Sequence, residues 1–226
     1  MHAAILTAFF FALTGICATQ SSRLLGASRA NAWRLVVALL LLSTWAHLFG
    51  EGWGGRVLFW FLGAGAIGFG LGGWIMFQAL SRIGSTLSLL IVECGATVFA
   101  SAIGWVWLDA PLTPLEIFFI ILILAGIILG MSPGPLVQLE RKIVWAGVFL
   151  ALAAALFQAI SFNLSRAAFL RLDDLGESID PISAAYQRLL GGACIALLLY
   201  FLMGRRRLFP SGVTRGQNSP LPAPFW

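Results

Sequence analysis

Long, uninterrupted apolar runs dominate the chain, and they fix the solvent in which it folds. Seven of them, at 3–19, 33–48, 57–80, 86–107, 114–130, 143–164 and 184–203, approach or exceed the length needed for a helix to cross a bilayer, about 20 residues. Charged residues make up 10% of the chain and hydrophobic ones 60%. A soluble domain is roughly a quarter charged, so too few polar side chains are present here to cover a surface in water. A membrane β-barrel would instead show segments of about 10 residues that alternate apolar and polar. The expected fold class is therefore all-α, a polytopic transmembrane helix bundle of about seven spans.

The residues between the runs carry most of the basic charge. The net charge is +5, and 13 of the 14 basic residues are Arg. They fall mainly in the gaps, as loops near lipid headgroups require, and no aromatic–basic platform for nucleic acid is visible. Arg23, Arg29, Arg34, Arg82, Arg141, Lys142, Arg205, Arg206, Arg207 and Arg215 fall on one side of the membrane, ten in all, against Arg56, Arg166, Arg171 and Arg188 on the other. That bias predicts an outside N-terminus and a cytoplasmic tail over 205–226, a basic stretch rich in Pro, Ser and Gly. The first run lacks a basic n-region, so it is expected to stay as a membrane helix and not to be cleaved as a signal peptide. Cys17, Cys94 and Cys194 sit within apolar runs at no metal-ligand spacing, which predicts packing residues, no metal and no cofactor.

The chain also repeats itself. ALTGICATQSSR at Ala12–Arg23 aligns with ALFQAISFNLSR at Ala155–Arg166, with Gln20 opposite Asn163. AWRLVVALLL then aligns with YQRLLGGACIALLL, which sets Arg34 opposite Arg188. A repeat that restarts after five helices places its second copy upside down in the membrane, the arrangement of many secondary transporters. The expected organisation is a first five-helix unit over 1–132, a partial second copy of two helices over 143–204, and the tail. The inverted second copy is incomplete, since spans 3, 4 and 5 have no counterparts.

The stretch FQALSRIGSTLSLLIVECGATVFASAIGWVWLDAPLTPLEIFFIILILAGIILG, Phe77–Gly130, resembles the EamA-type branch of the drug/metabolite transporter superfamily. Ala79-Leu80, Arg82 and Gly84-Ser85 fill the early positions of the family pattern. Glu93 matches its mid-helix Glu, Asp109 its following acid, and Leu112-Thr113 and Gly126 the remainder. Arg34 fits as well. Cys94 stands where the family has Pro, and family members have ten helices where this chain offers seven. The resemblance implies a transporter of small metabolites or drug-like molecules, often an exporter, with a central cavity between two repeats and a multi-pass location in the cell membrane. The partners it implies are the lipid bilayer, a small-molecule substrate, and either a second copy or C-terminal helices supplied in trans.

Glu93 is the most informative single residue. It is a formal charge deep inside an apolar run, where an acid costs about 2.5–3.5 kcal/mol unless it faces a cavity or a partner. A Glu there can couple transport to protons or contact a cationic substrate. The other candidates for the cavity are Thr14 and Gln20 on span 1, Trp74 and Gln78 on span 3, and Gln158, Ser161 and Asn163 on span 6; interhelical hydrogen bonds are the plainer use of each. Arg34 and Arg188 are expected near helix ends, reaching for headgroups. Asp109 reads as an acidic turn. Gly68 and Gly72 form a GxxxG pair, for packing within the bundle or for a dimer.

Two other function classes compete with transport. One is a non-transporting membrane protein that acts only with a partner. The other is a prenyltransferase-type enzyme, suggested by Asp173, Asp174, Glu177 and Asp180, since Mg²⁺ prefers carboxylates. Only one such acidic motif is present, and Arg166 and Arg171 balance its charge. The chain is therefore expected not to be an enzyme.

Overall fold

A computed structural model of the chain describes residues 2–50, 52–108, 113–130 and 141–204. Among them are seven helical segments and no strand: α1 (His2–Leu25), α2 (Ala27–Phe49), α3 (Leu58–Ile83), α4 (Ser85–Trp107), α5 (Pro114–Gly130), α6 (Arg141–Asp174) and α7 (Pro181–Gly204). Five of them, α2, α3, α4, α6 and α7, are long and apolar enough to cross a membrane, and α5 is apolar but shorter. The chain is thus a multi-pass helical membrane protein. Asp109 and the tail over 205–226 lie outside the described residues.

Local chemistry sets the ends of these helices. Gly26 and Gly84 take positive φ angles of 82° and 80° between consecutive helices, a conformation that costs glycine little. Thr113 and Glu116 form a capping box at α5: the Thr113 amide donates to Glu116 Oε2 at 2.7 Å, and the Glu116 amide donates back to Thr113 Oγ1 at 3.3 Å. Pro114 follows as the first helical residue, where its missing N–H is no loss. At α7, Asp180 Oδ2 accepts the Ser183 amide at 3.1 Å and Pro181 again opens the helix.

Helix α3 lies at the centre, against α6, α7, α2 and α1. In a bilayer, helices gain little from hydrophobic burial against each other and associate through close packing. The buried faces are accordingly small. On α6 they include Gly147, Ala151, Ala154, Ala155, Ala159 and Ser161. Gly68 and Gly72 of α3 face this helix: a Cβ on Gly68 would meet Ser161, and one on Gly72 would lie 3.1 Å from Phe157 Cβ. The GxxxG pair therefore packs within the bundle. The outward faces are apolar and exposed, as on α5 with Leu115, Phe118, Ile121 and Leu122.

Three features depart from the sequence expectation. The first is a π-helical stretch in α3, Ala66–Gly72, where the glycine-rich sequence loosens the ordinary ladder; such insertions are frequent at functional sites. The second is the length of α6. The helix runs to Asp174, well past the apolar run that ends at residue 164. Charges end the apolar run without ending the helix, because the extension is amphipathic. Its Ala168 and Leu172 pack with Val57, Phe61 and Ile179, while Arg171 stacks on the Trp60 ring at 4.2 Å. The third is that α2 and α7 begin earlier than expected, at Ala27 and Pro181. Arg34 and Arg188 consequently sit about two turns inside their helices, packed within the bundle, and not at the helix ends. Polar neighbours at the start of α2, Ser28 and Asn31 among them, hide this extension from hydropathy.

The loop between α2 and α3 is tied down by Gln187 of α7. This side chain is wholly buried, and its Nε2 donates to the Gly52 carbonyl at 3.1 Å and the Gly54 carbonyl at 2.8 Å. Gln187→Leu leaves both carbonyls without that donor, at a cost of about 1–3 kcal/mol. Thermal unfolding of the protein in detergent should shift down, with faster amide exchange confined first to 52–57. An unchanged transition would show that the loop is held by other contacts.

Candidate functional site

The polar residues of four helices meet in one cavity of about 130 Å³. Thr14, Gly15 and Ala18 come from α1, Arg34 from α2, Leu89, Val92 and Glu93 from α4, and Ala154 and Gln158 from α6. The floor is α3, with Gly68, Phe69, Gly72, Gly73 and Met76, so the π-helical stretch forms part of the wall. Glycines there let the cavity reach the backbone.

Glu93 is partly buried, and among the described residues no hydrogen-bond or ion-pair partner reaches its carboxylate; the Thr97 hydroxyl donates to its main-chain carbonyl, at 2.9 Å. The spacing of α4 explains its direction. Ile91, Val92, Gly95 and Ala96 form the face packed into the core, and Glu93 sits at the edge of that face, beside Val92, where the cavity opens.

Arg34 supplies the opposite charge. Its guanidinium lies over the Phe77 ring at 5.3 Å, a cation–π contact that favours a partly desolvated cation. One terminal nitrogen donates to Asn31 Oδ1 at 3.3 Å, while Nε is buried with no partner among the described residues. Asn31 is itself buried and donates to the Phe69 carbonyl at 3.3 Å, inside the π-helical stretch. The sequence reading missed Asn31. Its signal was present, however: an amide three residues before Arg34 on the same helix shares its face.

The remaining sequence candidates divide. Thr14 and Gln158 line the cavity with Glu93. Gln20, Trp74, Gln78, Ser161 and Asn163 are not among its lining residues. Gln20 is exposed on α1. The Trp74 indole donates to the Ser28 hydroxyl at 2.9 Å, and the main-chain carbonyl of Gln78 accepts from the Ser81 hydroxyl and the Arg82 guanidinium within α3. Asn163 bridges α6 to α4, donating to the Ala100 carbonyl at 3.1 Å and to the Ala159 carbonyl at 3.0 Å. Ser161 accepts from Arg188 at 3.2 Å, and that guanidinium stacks over Phe69 at 5.0 Å. Interhelical bonding thus occupies Trp74, Ser161 and Asn163, which composition alone could not tell from substrate contacts.

The acidic run after α6 is likewise shared among separate tasks. Glu177 pairs with Arg56 at 3.4 Å, Asp180 caps α7, and Asp173 and Asp174 end α6. Among the described residues no group of three or more His, Cys, Asp or Glu side chains is placed to hold a metal ion.

Residues 1–131 match the EamA-like transporter family, which covers more than half of the chain and includes α1–α5 with Glu93 and Arg34. No curated protein and no solved structure matches the chain.

Proposed function

We propose, because the chain belongs to the EamA-like transporter family, that its cavity carries small metabolites across the cell membrane by alternating access, in the direction of export. The observation that carries the substrate reading is the presence of both Glu93 and Arg34 on the wall of one cavity. A desolvated acid and a desolvated cation that do not satisfy each other call for a ligand that brings both complements. The substrate is then an amphipathic molecule with a cationic and an anionic group. Thr14 and Gln158 add hydrogen bonds, and Phe69, Met76, Leu89 and Val92 take the apolar part. Such a mix of apolar lining and a few polar groups is what small-molecule sites use. Glu93 is also the group that couples transport to protons, since it can release its own proton when the substrate's cation arrives.

The test is uptake into proteoliposomes of leucine, the simplest convenient amphipathic zwitterion, against the same skeleton without its carboxylate (isoamylamine) or without its amine (4-methylpentanoate). Leucine should move faster than either analogue by about tenfold or more, since each missing partner leaves a desolvated charge worth about 2–5 kcal/mol unpaired. Equal rates for all three would overturn the two-charge reading. Absence of flux with any of them would favour a protein that acts only with a partner.

A further inference from the structure

A second hollow, of about 370 Å³, opens between α1 and α2 on the outside of the bundle. Its walls are Cys17, Ser21 and Leu25 of α1, Trp33, Val37 and Ala38 of α2, and Phe77 of α3. Cys17, Leu25, Trp33 and Val37 are exposed, so in a bilayer they face acyl chains. Thr14, Ala18 and Arg34 line both this groove and the central cavity. The two hollows therefore share one boundary, and Arg34 stands on it.

Arg34 and its repeat counterpart Arg188 each keep one side-chain hydrogen bond and a buried Nε that has no partner among the described residues, but their acceptors differ. Arg188 donates to the Ser161 hydroxyl. In the sequence repeat, Ser161 corresponds to Ala18 (18 + 143 = 161, the offset that sets Ala12 opposite Ala155), which offers no acceptor. Among the described residues Arg34 keeps one side-chain hydrogen bond, to Asn31 on its own helix, where Arg188 reaches across to another. Among the described residues no carboxylate pairs with it. A buried guanidinium without an acid at the inner end of an apolar, lipid-facing groove calls for an anionic head on an apolar tail.

We propose that the α1–α2 groove is a membrane-side binding site for a single-chain carboxylate amphiphile, its head on Arg34 and its tail along Trp33, Val37 and Leu25. The volume is near the lower end for ligand sites, about 300–1,000 Å³, which suits one chain and not the two of a phospholipid. The site goes beyond the transport reading and stands whether or not leucine is carried. Where both hold, the amphiphile takes the cation that the cavity substrate needs and inhibits from the lipid side.

Cys17 provides the reporter, because it lies on the groove wall. The full chain with Cys94→Ala and Cys194→Ala, purified in dodecyl maltoside, is labelled with N-ethylmaleimide in the presence of laurate or of dodecanol. Laurate at ten times its Kd should slow Cys17 labelling about tenfold, since occupancy scales as 1 + [L]/Kd, whereas dodecanol should leave the rate unchanged. Arg34→Gln should abolish protection by laurate and Arg34→Lys should retain it. The acid–alcohol contrast is made with Arg34 intact, so it decides the question even if Arg34→Gln does not fold. Equal protection by dodecanol, no protection by laurate, or full protection in folded Arg34→Gln each overturns the proposal. So does a Cys17 that is blocked without additive and freed on dilution, which would mean that a second copy of the chain fills the groove.

Discussion

Glu93→Gln is expected to lower leucine flux on the order of a hundredfold while leaving the amount of folded protein unchanged. The carboxamide keeps the shape and the hydrogen-bonding capacity of the side chain and removes its charge and its proton. Losing one partner of a desolvated charge pair costs about 2–5 kcal/mol, and each 1.4 kcal/mol is about tenfold. Because the carboxylate bonds to no protein group among the described residues, the substitution breaks no interhelical contact, and the loss should fall on transport alone. Of the two charged side chains that line the cavity, Arg34 keeps its proton over the range tested, so the flux that remains in Glu93→Gln should be close to flat with pH. Initial rates in proteoliposomes across pH 5 to 9 measure both effects. A variant that transports within twofold of the parent at every pH would remove Glu93 from the mechanism.

The second large effect is on folding. Gly65 of α3 and Gly191 of α7 face one another's helices at backbone contact: a Cβ on Gly65 would land on the Arg188 carbonyl, and one on Gly191 on the Leu62 carbonyl. Neither obstacle is a side chain that can turn away. Gly65→Ala or Gly191→Ala should cost about 3 kcal/mol, the upper part of the range for overpacking, and separate α3 from α7 along its whole seam. Gly63→Ala, two residues away on the same helix, meets nothing within 4 Å and should be neutral. The yield of monodisperse protein in detergent and its unfolding temperature discriminate these variants. Equal behaviour of Gly63→Ala and Gly65→Ala would show that the helices adjust by sliding.

The bundle was legible in the sequence because hydropathy reports directly on lipid exposure. All seven apolar runs became helices, and α5 ends where its run ends. Hydropathy is silent where a helix leaves the bilayer, which is why the ten further residues of α6 and the early starts of α2 and α7 were not seen. Glu93 was legible for the same reason in reverse, as a charge in an apolar run. The other polar candidates were not separable in advance. Gln158 and Ser161 lie one turn apart on α6, yet one lines the cavity and the other holds Arg188. That distinction depends on which helix lies opposite, and sequence spacing carries no such information. The π-helical stretch of α3 was also invisible, since glycines permit it without demanding it.

The length of α6 has a mechanical meaning. Its 34 residues span roughly 50 Å at 1.5 Å each, against a hydrocarbon core of about 30 Å. A rod that long magnifies whatever tilt occurs at its middle: a rotation of roughly 10°, smaller than the ≈ 15° subunit rotation of haemoglobin, sweeps an end through about 4 Å. At the far end Arg171 stacks on Trp60 of α3, and Glu177, just beyond the helix, pairs with Arg56, so a tilt of α6 would be felt first at the start of α3. A probe attached near Asp174 would therefore act as the needle of a gauge for any tilt of α6 about its middle, where Ala154 and Gln158 line the cavity.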